Sequence, residues 1–237
     1  MDKKLLPNLM KKFKISDEEF EKHKEYYNNN FDKYDNDVYN DVKTRLVHLK
    51  NFSEKKNWFN KRYNLLFKKY QSFDSIVEIG FGLPYLPLKI KNITSKNLVY
   101  ADKYDSAIEV SKEILKSLGL NADFIKGNAE DYTLWSNIEK KCKGNVLLVG
   151  IEAVEHLNSP DSFWRNAKSI NPSKLIISLP IGPKIPSHNL YFKNIKEALE
   201  YLGRYMIIEE REIIKLSGKS KRNIDQYKNL IVFGRLK

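Results

Sequence analysis

The strongest indication of the fold is the stretch VEIGFGLP, residues Val77–Pro84. It begins inside a short apolar run, Ile76–Ile79, and continues into two glycines, Gly80 and Gly82, separated by one residue. Short apolar runs are typical of buried strands, and glycine permits a tight turn whose backbone can approach a ligand closely. The stretch therefore predicts a β-strand that ends in a ligand-binding turn.

Further strand-like runs follow and alternate with amphipathic helices. The predicted strands are Leu98–Ala101, Asp123–Ile125, Val146–Val149 and Leu175–Leu179. The predicted helices are Ser106–Leu118, Pro160–Ile170 (opening with Ser159 as cap) and Ile195–Leu202. This alternation predicts a doubly wound α/β fold, with a mostly parallel sheet covered on both faces. Two last runs, Tyr205–Ile214 and Leu230–Phe233, have no helix between them and predict an antiparallel hairpin.

Residues 1–72 have helical periodicity instead, and Ser16 and Glu19 have the spacing of a capping box. The run Asn28–Asn30 is expected to end this first helix or fray it. We expect a helical cap or substrate lid at residues 1–72 and a Rossmann-like domain at residues 73–237. Most aromatic side chains of the cap are expected to form core, and a few to close over a ligand cleft. These aromatic residues are Tyr26, Tyr27, Phe31, Tyr34, Tyr39, Trp58, Phe59 and Tyr63.

The amino-acid composition favours some classes of binding partner over others. The formal net charge is +12, but only seven of the 42 basic residues are arginines, which nucleic-acid sites favour for forked phosphate and base contacts. A small-molecule substrate is therefore the favoured partner, and nucleic acid the less favoured one. No apolar run approaches the roughly 20 residues of a membrane span, so no membrane partner is expected. Cys142 is the only cysteine, which precludes an intramolecular disulfide and favours a cytoplasmic location.

Polar residues follow the second and third predicted strands. Asp102 ends the second strand, about 20 residues after the glycine turn, where a carboxylate can accept both hydroxyls of a ribose. The third strand leads into the polar turn Gly127–Asp131. Because carboxyl ends of parallel strands meet at one edge of a sheet, this turn is placed to contact an adenine.

These segments, followed by Gly150–Leu157, resemble the successive motifs of class I S-adenosylmethionine-dependent methyltransferases. The resemblance implies a seven-stranded sheet whose last strand is antiparallel, and S-adenosyl-L-methionine as cofactor. It also implies a set of cofactor-binding residues: Glu78, Gly80, Phe81, Gly82, Asp102, Lys103, Asn128, Ala129, Glu130 and Ile151.

In the family that the chain resembles, the two glycines pass under the methionine part of the cofactor. Asp102 would hold the ribose, Asn128 and Ala129 would contact the adenine, and Ile151 would flank the cofactor from the other side. A helix before the first strand often contacts the methionine carboxylate, which makes Arg62 and Trp58 candidates by position.

Pro84 departs from the family pattern, because it stands where a third glycine is usual. Its fixed φ and missing N–H predict an altered turn, and with Pro87 they predict a short first crossover helix. Asn128 likewise stands where aspartate is common. A nucleotide-dependent dehydrogenase is the competing interpretation, but it uses a third glycine for close helix–strand packing, which Pro84 fits less well.

The segment after the fourth strand carries the candidate catalytic residues. In one helical turn, Glu152, Glu155 and His156 would share a face. His156 with Glu155 then acts as a general base; the alternatives are a divalent metal site and a purely structural loop. Glu-x-x-Glu-His resembles both ubiquinone-pathway O-methyltransferases and metal-dependent small-RNA 2′-O-methyltransferases. The RNA enzymes add a histidine from a loop after the fifth strand, where His188 stands here.

The leading hypothesis is therefore an S-adenosylmethionine-dependent methyltransferase that O-methylates a small molecule, at a sugar or phenolic hydroxyl. The alternative is an RNA 2′-O-methyltransferase assisted by a metal. The loop 180–192 is expected to form another wall of the site. No Asn/Asp-Pro-Pro-aromatic motif follows the fourth strand, which argues against methylation of a nucleobase amine.

Overall fold

The structure is a computed structural model that describes residues 3–30, 36–54, 60–90, 93–215 and 227–237. Four aromatic residues expected in the cap lie outside these ranges: Phe31, Tyr34, Trp58 and Phe59. Within them, no helix is long and apolar enough to cross a membrane.

A seven-stranded sheet forms the centre of the described part of the chain, in the order β3-β2-β1-β4-β5-β7-β6. Its strands are β1 (Ser75–Ile79), β2 (Asn97–Asp102), β3 (Asp123–Lys126), β4 (Val146–Gly150), β5 (Lys174–Ile181), β6 (Met206–Lys215) and β7 (Lys228–Leu236). Strands β1 to β5 pair in parallel, and β7 pairs antiparallel with both β5 and β6. The predicted doubly wound sheet with its antiparallel last strand is confirmed.

Helices cover both faces of this sheet. They are α1 (Leu5–Lys12), α2 (Asp17–Asn29), α3 (Val42–Ser53), α4 (Asn64–Lys69), α5 (Tyr85–Lys89), α6 (Asp105–Ser117), α7 (Tyr132–Glu139), α8 (Pro160–Ala167) and α9 (Ile195–Leu202). Short 3₁₀ turns occur at Asn36–Asn40, Tyr70–Ser72, Val154–His156 and Lys168–Ile170. Helix α5 has only five residues, which confirms the short crossover predicted from Pro84 and Pro87.

Local sequence explains some of the helix ends. Ser16 and Glu19 form the predicted capping box at α2, which ends at Asn29 as the asparagine run indicated. Ser159 stands at the N-cap of α8 as predicted, but its side chain does not cap the helix. Its Oγ instead lies 3.0 Å from Oγ of Ser162. Pro160 stands at the start of α8, where its lack of an N–H leaves one donor fewer to be capped.

Two apolar clusters hold the layers together. One lies between the sheet and helices α1–α6, so the cap and the strands share a continuous core. The other lies on the opposite face under α7, α8 and α9. Every residue of β1 and of β4 is buried, as expected for parallel strands covered on both faces. The cap is thereby fixed beside the carboxyl ends of β1 and β2.

Candidate active site

The turn after β1 has the geometry that the two glycines predicted. Gly80 and Gly82 have φ of +63° and +59°, in the left-handed region where side chains are strained. A Cβ on Gly80 would lie 2.8 Å from Cβ of Ala153, and one on Gly82 would lie 3.0 Å from Nη1 of Arg45. Each position therefore requires glycine for two reasons: its backbone has a positive φ, and a Cβ would lie too close to a neighbouring side chain.

Asp102 closes the turn from the end of β2. Its Oδ2 accepts a hydrogen bond from the Gly82 N–H at 3.1 Å, and its Oδ1 accepts one from the Tyr104 N–H at 3.0 Å. These two bonds fix the orientation of the carboxylate. Each oxygen keeps a further lone pair, so Asp102 can still accept two ligand hydroxyls.

The polar turn after β3 is held by its own side chains. Oδ1 of Asn128 accepts from the Glu130 N–H at 3.1 Å, and Nδ2 of Asn128 donates to Oε2 of Glu130 at 3.1 Å. The indole N–H of Trp135 donates to the Ala129 carbonyl at 2.8 Å. This leaves the Asn128–Glu130 backbone as a rigid rim rather than a free loop.

One cavity joins these three turns. Nine of the ten predicted cofactor residues line it: Gly80, Phe81, Gly82, Asp102, Lys103, Asn128, Ala129, Glu130 and Ile151. Glu78 differs, because it is 1% exposed and lies among the buried residues instead of on the wall. Burial, followed by the charge of Asp102, raises the pKa of Glu78 well above its usual value. Glu78 therefore lies behind the cavity wall rather than on it.

The helical cap covers the cavity with side chains that the sequence did not single out as a set. These are Tyr27, Tyr39, Arg45, His48, Arg62 and Tyr63. The Tyr27 hydroxyl lies 2.8 Å from Nε2 of His48, and burial lowers the pKa of His48 to about 3. No local pattern marks these residues, because their place depends on how the cap packs on α6. Pro180, Ile185 and His188, from the loop that was expected to form another wall, do line the cavity.

Glu152 does not share a helical face with Glu155 and His156, so that prediction is wrong. Its φ is +56°, and only Val154–His156 form a helical turn. Oε2 of Glu152 pairs with Nη1 of Arg62 at 2.9 Å, and its Oε1 accepts from Nδ2 of Asn229 at 2.6 Å. Arg62 on the cap and Asn229 on β7 therefore hold the Glu152 carboxylate away from Glu155 and His156.

His156 has the orientation of a candidate base. Its Nδ1 lies 2.7 Å from the Ser187 carbonyl, which can only accept, so Nδ1 carries the proton and Nε2 has the free lone pair. Burial is the main cause that lowers the pKa of His156, so the imidazole is neutral near pH 7. Its ring also contacts Tyr39, with ring centres 5.7 Å apart.

Glu155 and His188 lie next to His156. One ligand atom from each of the three residues lies within 4.8 Å of the others. The carboxylate oxygens of Glu155 are buried and have no hydrogen-bond partner among the described residues. Burial raises the pKa of Glu155 and lowers that of His188 to about 3. The predicted catalytic pair is therefore together, although Glu155 lies behind the cavity wall.

No protein-family model matches the sequence, and no curated relative matches it. Solved structures do match. The crystal structure of the MccD protein is 10% identical, with a TM-score of 0.53 over 69% of this chain and 90% of the other. The PH0226 protein from Pyrococcus horikoshii is 15% identical, with a TM-score of 0.50 over 77% and 93%. The [4+2]-cyclase SpnF is 10% identical, with a TM-score of 0.50 over 69% and 75%.

At these identities the similarity shows the fold alone. One of these structures is described as a cyclase, so the fold does not by itself determine the reaction. The function must be argued from the cavity.

Proposed function

We propose that this chain, which has the fold of class I S-adenosylmethionine-dependent methyltransferases, transfers a methyl group from S-adenosyl-L-methionine to a hydroxyl of a small molecule. One observation carries the proposal. A single cavity runs from the glycine turn and Asp102 to the imidazole of His156. A cofactor on the turn and an acceptor beside the histidine would therefore share one enclosed space.

The part of the cavity beside the glycine turn and Asp102, here called the cofactor half, offers a partner for each part of S-adenosyl-L-methionine. The Gly80–Gly82 backbone lines the cavity, so the methionyl chain can lie directly against it. Asp102 offers lone pairs to the ribose hydroxyls, and the Asn128–Glu130 rim lies at the same sheet edge for the adenine. These assignments follow the sequence prediction, apart from Glu78.

The part of the cavity beside His156, here called the acceptor half, offers a general base. Methyl transfer is an in-line displacement in which the hydroxyl oxygen forms a bond to the methyl carbon and the carbon–sulfur bond breaks. The hydroxyl proton must leave, and Nε2 of His156 has a free lone pair to take it. The Ser187 carbonyl holds the opposite ring nitrogen and stabilises the imidazolium that results.

The side chains that line the acceptor half favour a small, uncharged acceptor. The charge of Arg62 is matched by Glu152 at 2.9 Å, and the neighbouring wall is formed by Tyr39, His156 and His188. Aromatic rings and neutral imidazoles suit a sugar or a phenol better than an anion. The cap over the cavity supports an enclosed substrate rather than a polymer.

The experiment is a transfer assay with tritium-labelled S-adenosylmethionine against a panel of phenols, simple sugars, amines and thiols. We expect label in at least one hydroxyl compound, and loss of that label with His156→Gln. Absence of transfer to every hydroxyl compound, with transfer to amines or thiols instead, would overturn the assignment of the acceptor atom.

A second candidate is metal-assisted 2′-O-methylation of RNA, and the Glu155–His156–His188 cluster favours it. One carboxylate and two imidazoles suit a divalent ion such as Zn²⁺ or Mn²⁺, and the unpartnered Glu155 oxygens fit that interpretation. Such an ion lowers the pKa of a bound hydroxyl. Calorimetry with each metal, and transfer to an RNA oligonucleotide against its 2′-deoxy counterpart, separates this candidate from the first.

A further inference from the structure

Glu152 has a strained backbone at the wall of the cavity. Its φ of +56° lies in the left-handed region, which a residue with a Cβ adopts only where the surrounding structure enforces it. The Glu152 N–H donates to Oγ of Ser178 at 2.7 Å, and Ser178, on β5, is fully buried. Such outliers cluster at ligand-binding positions, where the strain fixes a side chain before the ligand arrives. The conformation therefore marks Glu152 for a ligand contact.

Side chains from the cap, β5 and β7 hold the Glu152 carboxylate in one orientation. Its Oε2 pairs with Nη1 of Arg62 at 2.9 Å, and its Oε1 accepts from Nδ2 of Asn229 at 2.6 Å and from Oγ of Ser178 at 3.4 Å. Ser178 and Asn229 are buried, but the Glu152 side chain is 25% exposed and lines the cavity. Because a carboxylate oxygen accepts more than one hydrogen bond, a donor in the cavity can still bind to it.

The Glu152 carboxylate belongs to the acceptor half of the cavity. Burial, and after it the charge of Glu152, raises the pKa of Tyr39 to about 12, and the ring of Tyr39 contacts His156. The same charge raises the pKa of His156 against the larger, opposite effect of burial. Both side chains also line the cavity. An acceptor whose reacting hydroxyl lies at Nε2 of His156 therefore has the Glu152 carboxylate in the same pocket.

We propose that Glu152 accepts a hydrogen bond from a second hydroxyl of the acceptor, so that the substrate class is a compound with at least two hydroxyls. This inference rests on the proposed function. The hydroxyl at His156 loses its proton and is methylated, whereas the hydroxyl at Glu152 keeps its proton and fixes the orientation of the acceptor. Sugars and dihydroxyphenols share this chemistry.

The ion pair of Glu152 favours a hydroxyl over an ammonium as the donor. Arg62 already matches the charge of the carboxylate at 2.9 Å, so a second cation would add an unmatched positive charge to a largely buried site. An O–H group donates without adding charge. Arg62, Ser178 and Asn229 are then positioning residues, because they hold the carboxylate in place.

The test compares acceptors in matched sets, with labelled S-adenosylmethionine as the methyl donor. One set pairs the benzenediols with phenol. The other pairs the cyclohexanediols, as models of a sugar ring, with cyclohexanol and the aminocyclohexanols. We expect kcat/KM for the best diol to exceed that of its monohydroxy partner by about 10–100-fold, mainly through KM, the range of one hydrogen bond to a carboxylate. The set that contains this diol separates a phenolic from a sugar-like acceptor.

Variants assign the diol preference to the carboxylate. Glu152→Gln should reduce the ratio of the two kcat/KM values to about threefold or less, because a neutral acceptor replaces the charged one. The double variant Arg62→Gln/Glu152→Gln should lose the ratio equally, which excludes an unmatched Arg62 as the cause. Asn229→Ala should give an intermediate ratio. Glu113→Gln is the matched control, since Glu113 on α6 pairs with Lys12 of the cap at 3.6 Å and does not line the cavity.

The ratio separates recognition from loss of structure, because a loosened site lowers kcat/KM for both partners and leaves the ratio as it was. Equal use of diols and monohydroxy compounds, a diol preference that survives Glu152→Gln, or a preference for the aminocyclohexanols would overturn the inference while the proposed function stands. If no hydroxyl compound is methylated, the proposed function fails, and the inference fails with it.

Discussion

The backbone N–H of Gly82 donates a hydrogen bond to Oδ2 of Asp102 across 3.1 Å. This contact joins the glycine turn after β1 to the acidic end of β2, two features that lie about 20 residues apart in sequence. It places the residues assigned to the methionyl chain and to the ribose against each other before any ligand arrives. The proposed cofactor site is therefore preorganised by a hydrogen bond between backbone and side chain.

The turn should not tolerate a side chain at Gly80. Gly80→Ala combines a positive φ with a contact of 2.8 Å to Ala153, so we expect it to lower the free energy of unfolding by about 2–4 kcal/mol. Gly119→Ala is the matched control, because Gly119 has φ of +66° and nothing within 4 Å. It should cost about 1 kcal/mol, from strain alone. Urea unfolding measures both, and equal losses would contradict the steric account.

Asp102→Asn should weaken S-adenosylhomocysteine and 5′-methylthioadenosine alike, by about 10–100-fold, because both ligands carry the ribose and only the first carries an amino-acid end. In the asparagine side chain an NH₂ group replaces one carboxylate oxygen. That oxygen accepts from the Gly82 or the Tyr104 N–H and would also accept from the ligand. Asp105→Asn serves as control, since Asp105 is exposed and pairs with Lys126. Calorimetry decides, and a loss confined to S-adenosylhomocysteine would show that Asp102 contacts the amino-acid end instead.

His156→Gln should lower kcat by about 10²–10⁴-fold, the usual contribution of a general base, and leave affinity for S-adenosylhomocysteine unchanged. The comparison needs an acceptor identified by the labelled transfer assay. His23→Gln is the control, because His23 contacts Thr44 on the cap and does not line the cavity. Unchanged kcat in the His156 variant would leave the imidazole a structural role only.

Arg62 and Glu152 should show a coupling free energy of about 1–3 kcal/mol in a double-mutant cycle of stability. Arg62→Gln leaves the Glu152 carboxylate without its cation, and Glu152→Gln does the reverse. The double variant should be more stable than the sum of the single losses indicates. Strict additivity in urea unfolding would show that the pair contributes nothing at this position.

His48 should make stability depend on pH. Burial lowers its pKa from 6.5 to about 3, so the unfolded chain takes up a proton more readily than the folded one. Its contribution is present above pH 6.5 and is lost as the pH falls toward 3, by at most about 1.4 kcal/mol for each pH unit. His48→Gln should flatten the unfolding free energy between pH 6.5 and 4. An unchanged slope would mean that His48 is protonated without cost.

The strands, the glycine turn and Asp102 could be predicted from the sequence because they depend on local patterns. Short apolar runs bounded by glycines and alternating with amphipathic helices indicate buried strands from residues close in sequence. Glu152 could not be placed in this way. Its φ of +56° and its partners, 26 and 77 residues away on β5 and β7, are properties of the folded chain.

The cap shows the same limit. Its helices were expected from periodicity, but the sequence position that suggested Arg62 did not identify Arg45 as the arginine over the turn. That choice depends on the packing of α3 against α6, through the contact of Arg45 with Ser106 across 61 residues. The division at residue 72 and the role of the cap as a lid remain predictions.

A calorimetric titration of the full chain with S-adenosylhomocysteine, repeated with Asp102→Asn, tests whether the cofactor binds at the Gly82–Asp102 contact. We expect one site per chain in the unaltered protein and affinity reduced about 10–100-fold in the variant. Absence of binding to the unaltered protein, or equal binding to both proteins, would contradict a cofactor site at the Gly82–Asp102 contact.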